Sequence, residues 1–300
     1  MNRFISILIG LFCVYVAEAD SRASLYVVTT TGMIADTVRN VGGESVRVDS
    51  LMGTGVDPHL YNPTHGDMQK LRDAQIIFYN GLHLEGKMSE VLEKIAKSKP
   101  VFAVAEAIDK KLLIALDEQE TQFDPHVWFD VMLWVSVVEE VTKRLTEALP
   151  DKSKQFEEAS KKYKEKLIAL DANIKERLSQ IPSSQRVLVT AHDAFSYFGK
   201  AYGVEVMGLQ GVSTESEFGL HDLKRISEIV IERKVKSIFI ESSVPKRFIS
   251  ALQEGLKEKG YAVSIGTELY SDAMGPEGTV EGTYIGMVQH NLDAIAKGLQ

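Results

Sequence analysis

The stretch Lys152–Ile181, KSKQFEEASKKYKEKLIALDANIKERLSQI, decides how the chain is divided. It runs for about thirty residues without Gly or Pro, the two residues that most often stop a helix. Phe156, Tyr163, Leu167, Leu170, Ile174, Leu178 and Ile181 recur at three- and four-residue steps, so they share one face of a helix. Glu157 and Glu158 precede Lys161 and Lys162 by one turn, the favourable order for helical ion pairs. At 1.5 Å per residue such a helix is ~45 Å long. That exceeds the ~13 Å radius of gyration of a 100-residue lobe. The expectation is a strut between two lobes, with Pro150 before it and Pro182 after it.

Outward from the strut, both sides alternate between apolar runs of strand length and amphipathic helices. On the N-terminal side the expected strands are Leu25–Thr30, Val46–Val48, Ile76–Tyr79 and Pro100–Val104. On the C-terminal side they are Val187–Val189, Val204–Leu209, Ser237–Ile240 and Tyr261–Ile265. Strands alternating with helices imply parallel βαβ units. The expected fold is α/β: two lobes, each around a mostly parallel four-stranded sheet, joined by one long helix. The boundaries are a signal peptide at 1–19, an N-terminal lobe at 20–150, the helix at 151–181 and a C-terminal lobe at 182–300.

The first nineteen residues read as an export signal. Arg3 supplies the positive end, Phe4–Val16 the apolar core and Ala17-Glu18-Ala19 the cleavage site. The apolar run is shorter than the ~20 residues of a membrane span. Cys13, the single cysteine, lies inside this segment. It is a poor lipid-attachment site, since bulky Phe12 precedes it and cleavage there would cut the apolar core. The mature chain thus has no disulfide and no thiolate, which removes Cys-based catalysis and Cys-rich zinc sites. A formal charge of −8 argues against nucleic acid as a partner. A soluble periplasmic monomer is expected.

One tripeptide occurs twice. Asp57-Pro58-His59 and Asp124-Pro125-His126 each present a histidine from a backbone stiffened by proline. His192 follows the apolar run Val187–Val189 in Thr190-Ala191-His192-Asp193. Asp272 lies in Ser271-Asp272-Ala273-Met274-Gly275. All four come after expected strands, and ligands of open α/β sheets gather at carboxyl ends of strands. Two facing lobes would bring the four into one cleft as ligands of a divalent metal. Imidazole suits zinc and other first-row metals, and carboxylate suits harder ions such as manganese. Catalytic zinc usually keeps three protein ligands and one open position. Four protein ligands therefore favour carrying a metal over using it, and the chain has no His-Glu-x-x-His. Asp57 and Asp124 read either as partners orienting their neighbours or as turn residues. Glu241, at the end of Ser237–Ile240, reads either as reaching the cleft or as facing solvent. His65, His83, His221 and His290 carry no such framing.

Gly55–Tyr61, Asp124–Trp128, Thr190–Phe195 and Ser271-Asp272, in that order, resemble the ligand segments of the zinc- and manganese-binding solute-binding proteins of ABC importers. Glu241-Ser242-Ser243 and the long helix match as well. The resemblance implies metal ligands at His59, His126, His192 and Asp272. It also implies two α/β lobes on a rigid helix, and delivery of the ion to a membrane permease rather than catalysis. A histidine at the third ligand position resembles the zinc receptors and some mixed receptors. Leu60-Tyr61-Asn62-Pro63-Thr64 resembles the manganese side, and Asp117–Phe123 lacks the His-rich loop of many zinc receptors. Zn²⁺ or Mn²⁺ as cargo is the expectation. The competing readings are a secreted metallohydrolase and an adhesin-like protein with a structural metal.

Overall fold

A computed structural model describes residues 24–216 and 218–300. The expected export signal and Cys13 lie outside the described residues. Leu25–Thr29 (β1) is followed by Gly32–Gly42 (α1), Val46–Ser50 (β2), His65–Asp73 (α2), Ile76–Tyr79 (β3), Ser89–Ala96 (α3) and Val101–Ala103 (β4). These strands form one parallel sheet in the order β2-β1-β3-β4, with Val27 opposite both Val48 and Ile76. β1 alternates its faces, as the period of a strand demands. Leu25 and Val27 enter one apolar cluster, while Tyr26 and Val28 enter another with Leu71, Met88 and Leu92 from beneath α2 and α3.

Two helices follow, Val131–Ala148 (α4) and Ser153–Ser179 (α5), separated by a short turn at Pro150–Lys152. α5 is ~40 Å long at the usual rise. Every apolar position expected on its stripe is buried, from Phe156 to Ile181. The helix is more than a connector. It packs along α4 and α1 and reaches the C-terminal helix Tyr284–Leu299 (α9). The Tyr163 hydroxyl donates to Asp36 of α1, and the same carboxylate oxygen accepts the Tyr284 backbone N–H, both at 3.1 Å. One buried carboxylate therefore ties α1, α5 and α9 together.

The second half holds Val187–His192 (β5), Ser196–Tyr202 (α6), Glu205–Gln210 (β6), Leu220–Glu232 (α7), Ser237–Ile238 (β7), Arg247–Glu258 (α8) and Ser264–Ile265 (β8), then α9. Its strands are parallel, but they form two short ladders, β5-β6 and β7-β8, rather than one continuous sheet. The ladders are stitched by the Phe239 N–H, which donates to the Val189 carbonyl at 2.8 Å. The expected strand Ser237–Ile240 is cut to two residues because its backbone bonds change neighbour there. Beyond Ile238 it pairs with the chain around Leu269 instead, through a parallel bridge at Glu241.

Val187, Val189 and Ala191 of β5 face α7 and α8, where Ile226, Val230, Ile249, Leu252 and Leu256 are buried. Leu188 faces the other way, into the cluster that holds Leu25, Val27, α4, α5 and α9. The largest apolar core thus spans both halves. Among the described residues no helix is long and apolar enough to cross a membrane.

Candidate metal centre

β2 ends at Ser50, and the chain loops through Gly53–Leu60 before α2 begins. His59 sits in this loop, buried with Pro58 before it, while Leu60 after it is exposed. After β4 the chain reaches His126, immediately before the turn Val127–Phe129 and α4. His192 is the last residue of β5 itself, not part of a loop beyond it. β6 approaches this point so closely that a Cβ on Gly208 would lie 2.3 Å from the Asp193 nitrogen, which only glycine allows. Asp272 follows β8 in an irregular segment.

These four residues meet. One donor atom from each of His59, His126, His192 and Asp272 lies within 4.8 Å of all the others, and all four residues are buried. His59 Nε2 is 3.4 Å from His126 Nε2. The two Asp272 oxygens divide between the others, Oδ1 3.3 Å from His126 Nε2 and Oδ2 3.2 Å from His192 Nε2. His192 Nε2 and Asp272 Oδ1 are buried without an aligned hydrogen-bond partner. A buried polar atom left so is costly. Two of them aimed at one point fit an ion that accepts lone pairs from both. His65, His83, His221 and His290 lie outside the cluster. His290 bonds the Glu268 carbonyl instead.

Each histidine has a carboxylate on its own backbone N–H, at 2.9 Å in every case: Asp57 for His59, Asp124 for His126 and Glu241 for His192. Two of these carboxylates also hold the ring. Asp124 Oδ1 is 2.8 Å from His126 Nδ1, and Glu241 Oε2 is 2.5 Å from His192 Nδ1. A carboxylate there keeps a proton on Nδ1 and leaves Nε2 to face the centre, the tautomer a metal needs. Asp124 therefore orients its neighbour, whereas Asp57 does so only through the backbone. Glu241 is fully buried and reaches the centre through His192. Sequence reasoning left its role open, because an acid at the end of an apolar run gives no sign of which side it faces.

Further bonds lock the segments together. Trp128 Nε1–H donates to the Ser271 carbonyl at 3.0 Å, joining the second segment to the fourth. Tyr284 Oη–H donates to the Trp128 carbonyl at 2.7 Å. The Asn80 side-chain amide donates to the Pro125 carbonyl at 3.0 Å. Nothing in the local sequence marks Asn80 or Tyr284 as a partner of these segments.

The electrostatics separate the three imidazoles. Burial drives His59 down to about 3, with Asp272 offsetting only part of it. Burial opposes charge on His126 too, but Asp124 and Asp272 outweigh it and hold the ring up to about 9. At His192 burial is again outweighed, here by Asp272 and Glu241, and the ring lies well above its ordinary value. Asp272 resists burial through His192 and His126 and stays well below the usual carboxylate range. Without a metal the centre is thus a carboxylate facing two protonated rings and one neutral ring. A divalent cation can replace the two Nε2 protons without changing the charge of the site.

The chain is similar to known proteins over most of its length. The manganese-binding lipoprotein MntA of Bacillus subtilis (strain 168) is 51% identical over 284 residues, 95% of this chain and 92% of its own. The metal ABC transporter substrate-binding lipoprotein SsaB of Streptococcus sanguinis is 33% identical over 289 residues, 94% of this chain and 91% of its own. The structure of the periplasmic zinc-binding protein TroA from Treponema pallidum superposes with a TM-score of 0.89 at 49% identity, covering 92% of this chain and 99% of that one. Residues 27–298 match the family described as zinc-uptake complex component A, periplasmic. The chain belongs to that family, ZnuA.

Proposed function

We propose that this protein is the extracytoplasmic metal receptor of an ABC importer. It binds one Zn²⁺ or Mn²⁺ through His59, His126, His192 and Asp272 and delivers it to a membrane permease. The observation that carries this reading is the convergence of four buried donor atoms, two of them without an aligned partner, from four separate segments. The names of the relatives support both ions, manganese for MntA and zinc for TroA. The donor set supports both as well, since imidazole suits zinc and a carboxylate with both oxygens turned inward suits manganese. The name of SsaB supports the permease as partner. Export by the segment 1–19, a monomeric state and the division at 20–150, 151–181 and 182–300 belong to the same proposal.

The reading is of a carrier rather than an enzyme. Four protein donors fill a tetrahedral shell, and the carboxylates beside it are engaged: Asp124 and Glu241 with histidine rings, Asp57 with a backbone N–H and Thr214. A hydrolase would need an open coordination position and a nearby base.

Competitive titration of metal-stripped protein with Zn²⁺ and Mn²⁺ tests the reading, together with thermal melts. One ion per chain is expected. Ligand bound only by the folded state raises stability, by ~2.7 kcal/mol at a hundred times Kd. A melting midpoint equal in stripped and metal-saturated protein would remove the site.

A further inference from the structure

We propose that the ion leaves the centre past His59, and that Thr214 is a positioning residue that sets the rate of departure through Asp57. The inference rests on the metal-receptor reading above and concerns how the bound ion is let go.

The three imidazoles are held unequally. His126 and His192 are each gripped at two points, backbone N–H and ring Nδ1, by Asp124 and Glu241. Asp57 grips His59 only at the backbone N–H, and among the described residues no hydrogen bond reaches its Nδ1. A bond to the backbone and a second to the ring fix a ring's position and tilt, whereas a backbone bond alone leaves the tilt to packing.

The supporting backbone is unequal in the same sense. His192 ends β5, paired in register with Gln210 of β6. His126 is flanked by Pro125, whose carbonyl accepts from Asn80, and by the buried Val127, Trp128 and Phe129. His59 lies in a loop with no regular structure, which is exposed at Gly53, Thr54 and Gly55, half-buried at Val56 and Asp57, buried at Pro58 and exposed again at Leu60. It is the imidazole whose next residue, Leu60, is exposed, whereas Val127 is buried and Asp193 half-buried.

That loop is tied to the second half of the chain by two side-chain hydrogen bonds. Thr54 Oγ1 donates to the Gly275 carbonyl at 3.1 Å. Thr214 Oγ1, just beyond β6, donates to Asp57 Oδ2 at 2.6 Å. The second tie acts on the carboxylate that holds the His59 backbone. The Thr214 hydroxyl, the Asp57 carboxylate and the His59 N–H thus form one chain of bonds ending on a proposed ligand.

Coordination bonds break one at a time, and the ligand least held by its surroundings moves first. Here the metal–Nε2 bond of His59 breaks, and a water oxygen takes its place on the ion. Nothing is oxidised and no proton needs to move, since the His59 ring is neutral on both sides of the step. Once Thr214 releases Asp57, the loop and its histidine can swing outward together.

The test uses the full mature protein loaded with Zn²⁺ and, separately, with Mn²⁺. Each is mixed in stopped flow with a chromogenic chelator, at concentrations where the rate no longer depends on the chelator. Thr214→Val removes the hydroxyl and keeps the shape, whereas Thr214→Ser keeps the hydroxyl. Release from Thr214→Val should be about tenfold faster than from wild type, and release from Thr214→Ser within about twofold of it. Melts of the metal-free variants should coincide with wild type, which separates the tie from a general loss of stability. Release from Thr214→Val at the wild-type rate overturns the inference. So does release from Thr214→Ser as fast as from Thr214→Val. Wild-type protein that takes up neither ion overturns the receptor reading itself, and this inference with it.

Discussion

Glu241 holds His192 at two points, the backbone N–H at 2.9 Å and the ring Nδ1 at 2.5 Å, and both residues are fully buried. The grip decides which ring nitrogen faces the centre. Glu241→Gln retains the shape but leaves a single acceptor for two donors. Its amide can instead donate to Nδ1, which turns the Nε2 proton toward the centre and blocks the lone pair. Loss of such a partner typically costs 10- to 100-fold in metal affinity. Competition titration of Glu241→Gln should show a loss in that range for both ions. Unchanged affinity would mean that His192 is oriented by packing alone.

Metal uptake should expel protons. At neutral pH the free protein holds His126, at about 9, and the raised His192 in their charged forms, while His59, at about 3, is already neutral. A bound ion requires all three neutral. Uptake near pH 7 should therefore release about two protons per ion, as two rings titrate above that pH. Calorimetry in buffers of different ionisation enthalpy measures the number. Affinity should keep rising with pH up to about 9 rather than levelling off near the ordinary histidine value of ~6.5. The metal-free fold responds with the opposite sign. A raised histidine contributes stability below its unfolded value of ~6.5 and loses it as pH rises through about 9. The midpoints of stripped and loaded protein should converge on the acid side and separate on the alkaline side.

His192 should tune the choice between ions, but not by a single substitution. A carboxylate at position 192 supplies hard oxygen for Mn²⁺. It would also face Glu241 in a site where both side chains are buried, and like charges there are unfavourable. His192→Glu alone should weaken both ions, much as His192→Ala does. His192→Glu combined with Glu241→Gln removes the clash. In that pair of changes the zinc-to-manganese affinity ratio should fall by about tenfold, or about 1.4 kcal/mol of differential binding. Zinc should remain the tighter ion, as the Irving–Williams order places Mn²⁺ lowest. A ratio equal to wild type in the double variant would place selectivity outside this ligand.

The two halves should stay together when the ion leaves. Leu25 and Val27 of β1, the stripe of α5, and Leu188, Phe239 and Tyr284 of the second half share one apolar core. Opening the molecule as a wide hinge would expose that core to water, at about 25 cal/mol per Å² of apolar surface. Scattering curves of stripped and loaded protein should nearly superimpose. A change in radius of gyration of the size of a hinge closure would contradict a shared core.

The sequence made the regular parts of this molecule legible, because their periods are local. The stripe from Phe156 to Ile181 is buried as read, and the helix ends fall within two residues of expectation. Ser237–Ile240 forms a strand only at Ser237–Ile238, since its backbone bonds leave one neighbour for another after Ile238. His59 and His126 were legible from their framing by proline and His192 from its place after an apolar run, whereas Asp272, in an irregular segment beyond β8, was legible only through the family resemblance. Their supports were not. Asp57-Pro58-His59 and Asp124-Pro125-His126 are the same tripeptide, yet Asp124 turns one oxygen to its histidine ring while Asp57 turns one to Thr214. Which happens depends on residues far away in the chain, and identical local sequence carries no trace of it.

The central claim is that His59, His126, His192 and Asp272 together hold the ion. X-ray absorption of the zinc-loaded wild-type protein at the metal edge tests it most directly. The account predicts three imidazole nitrogens at about 2.0–2.1 Å and a carboxylate oxygen at about 2.0–2.2 Å, with no sulfur. A spectrum requiring fewer than three imidazoles, or a shell made mostly of water oxygens, would contradict it.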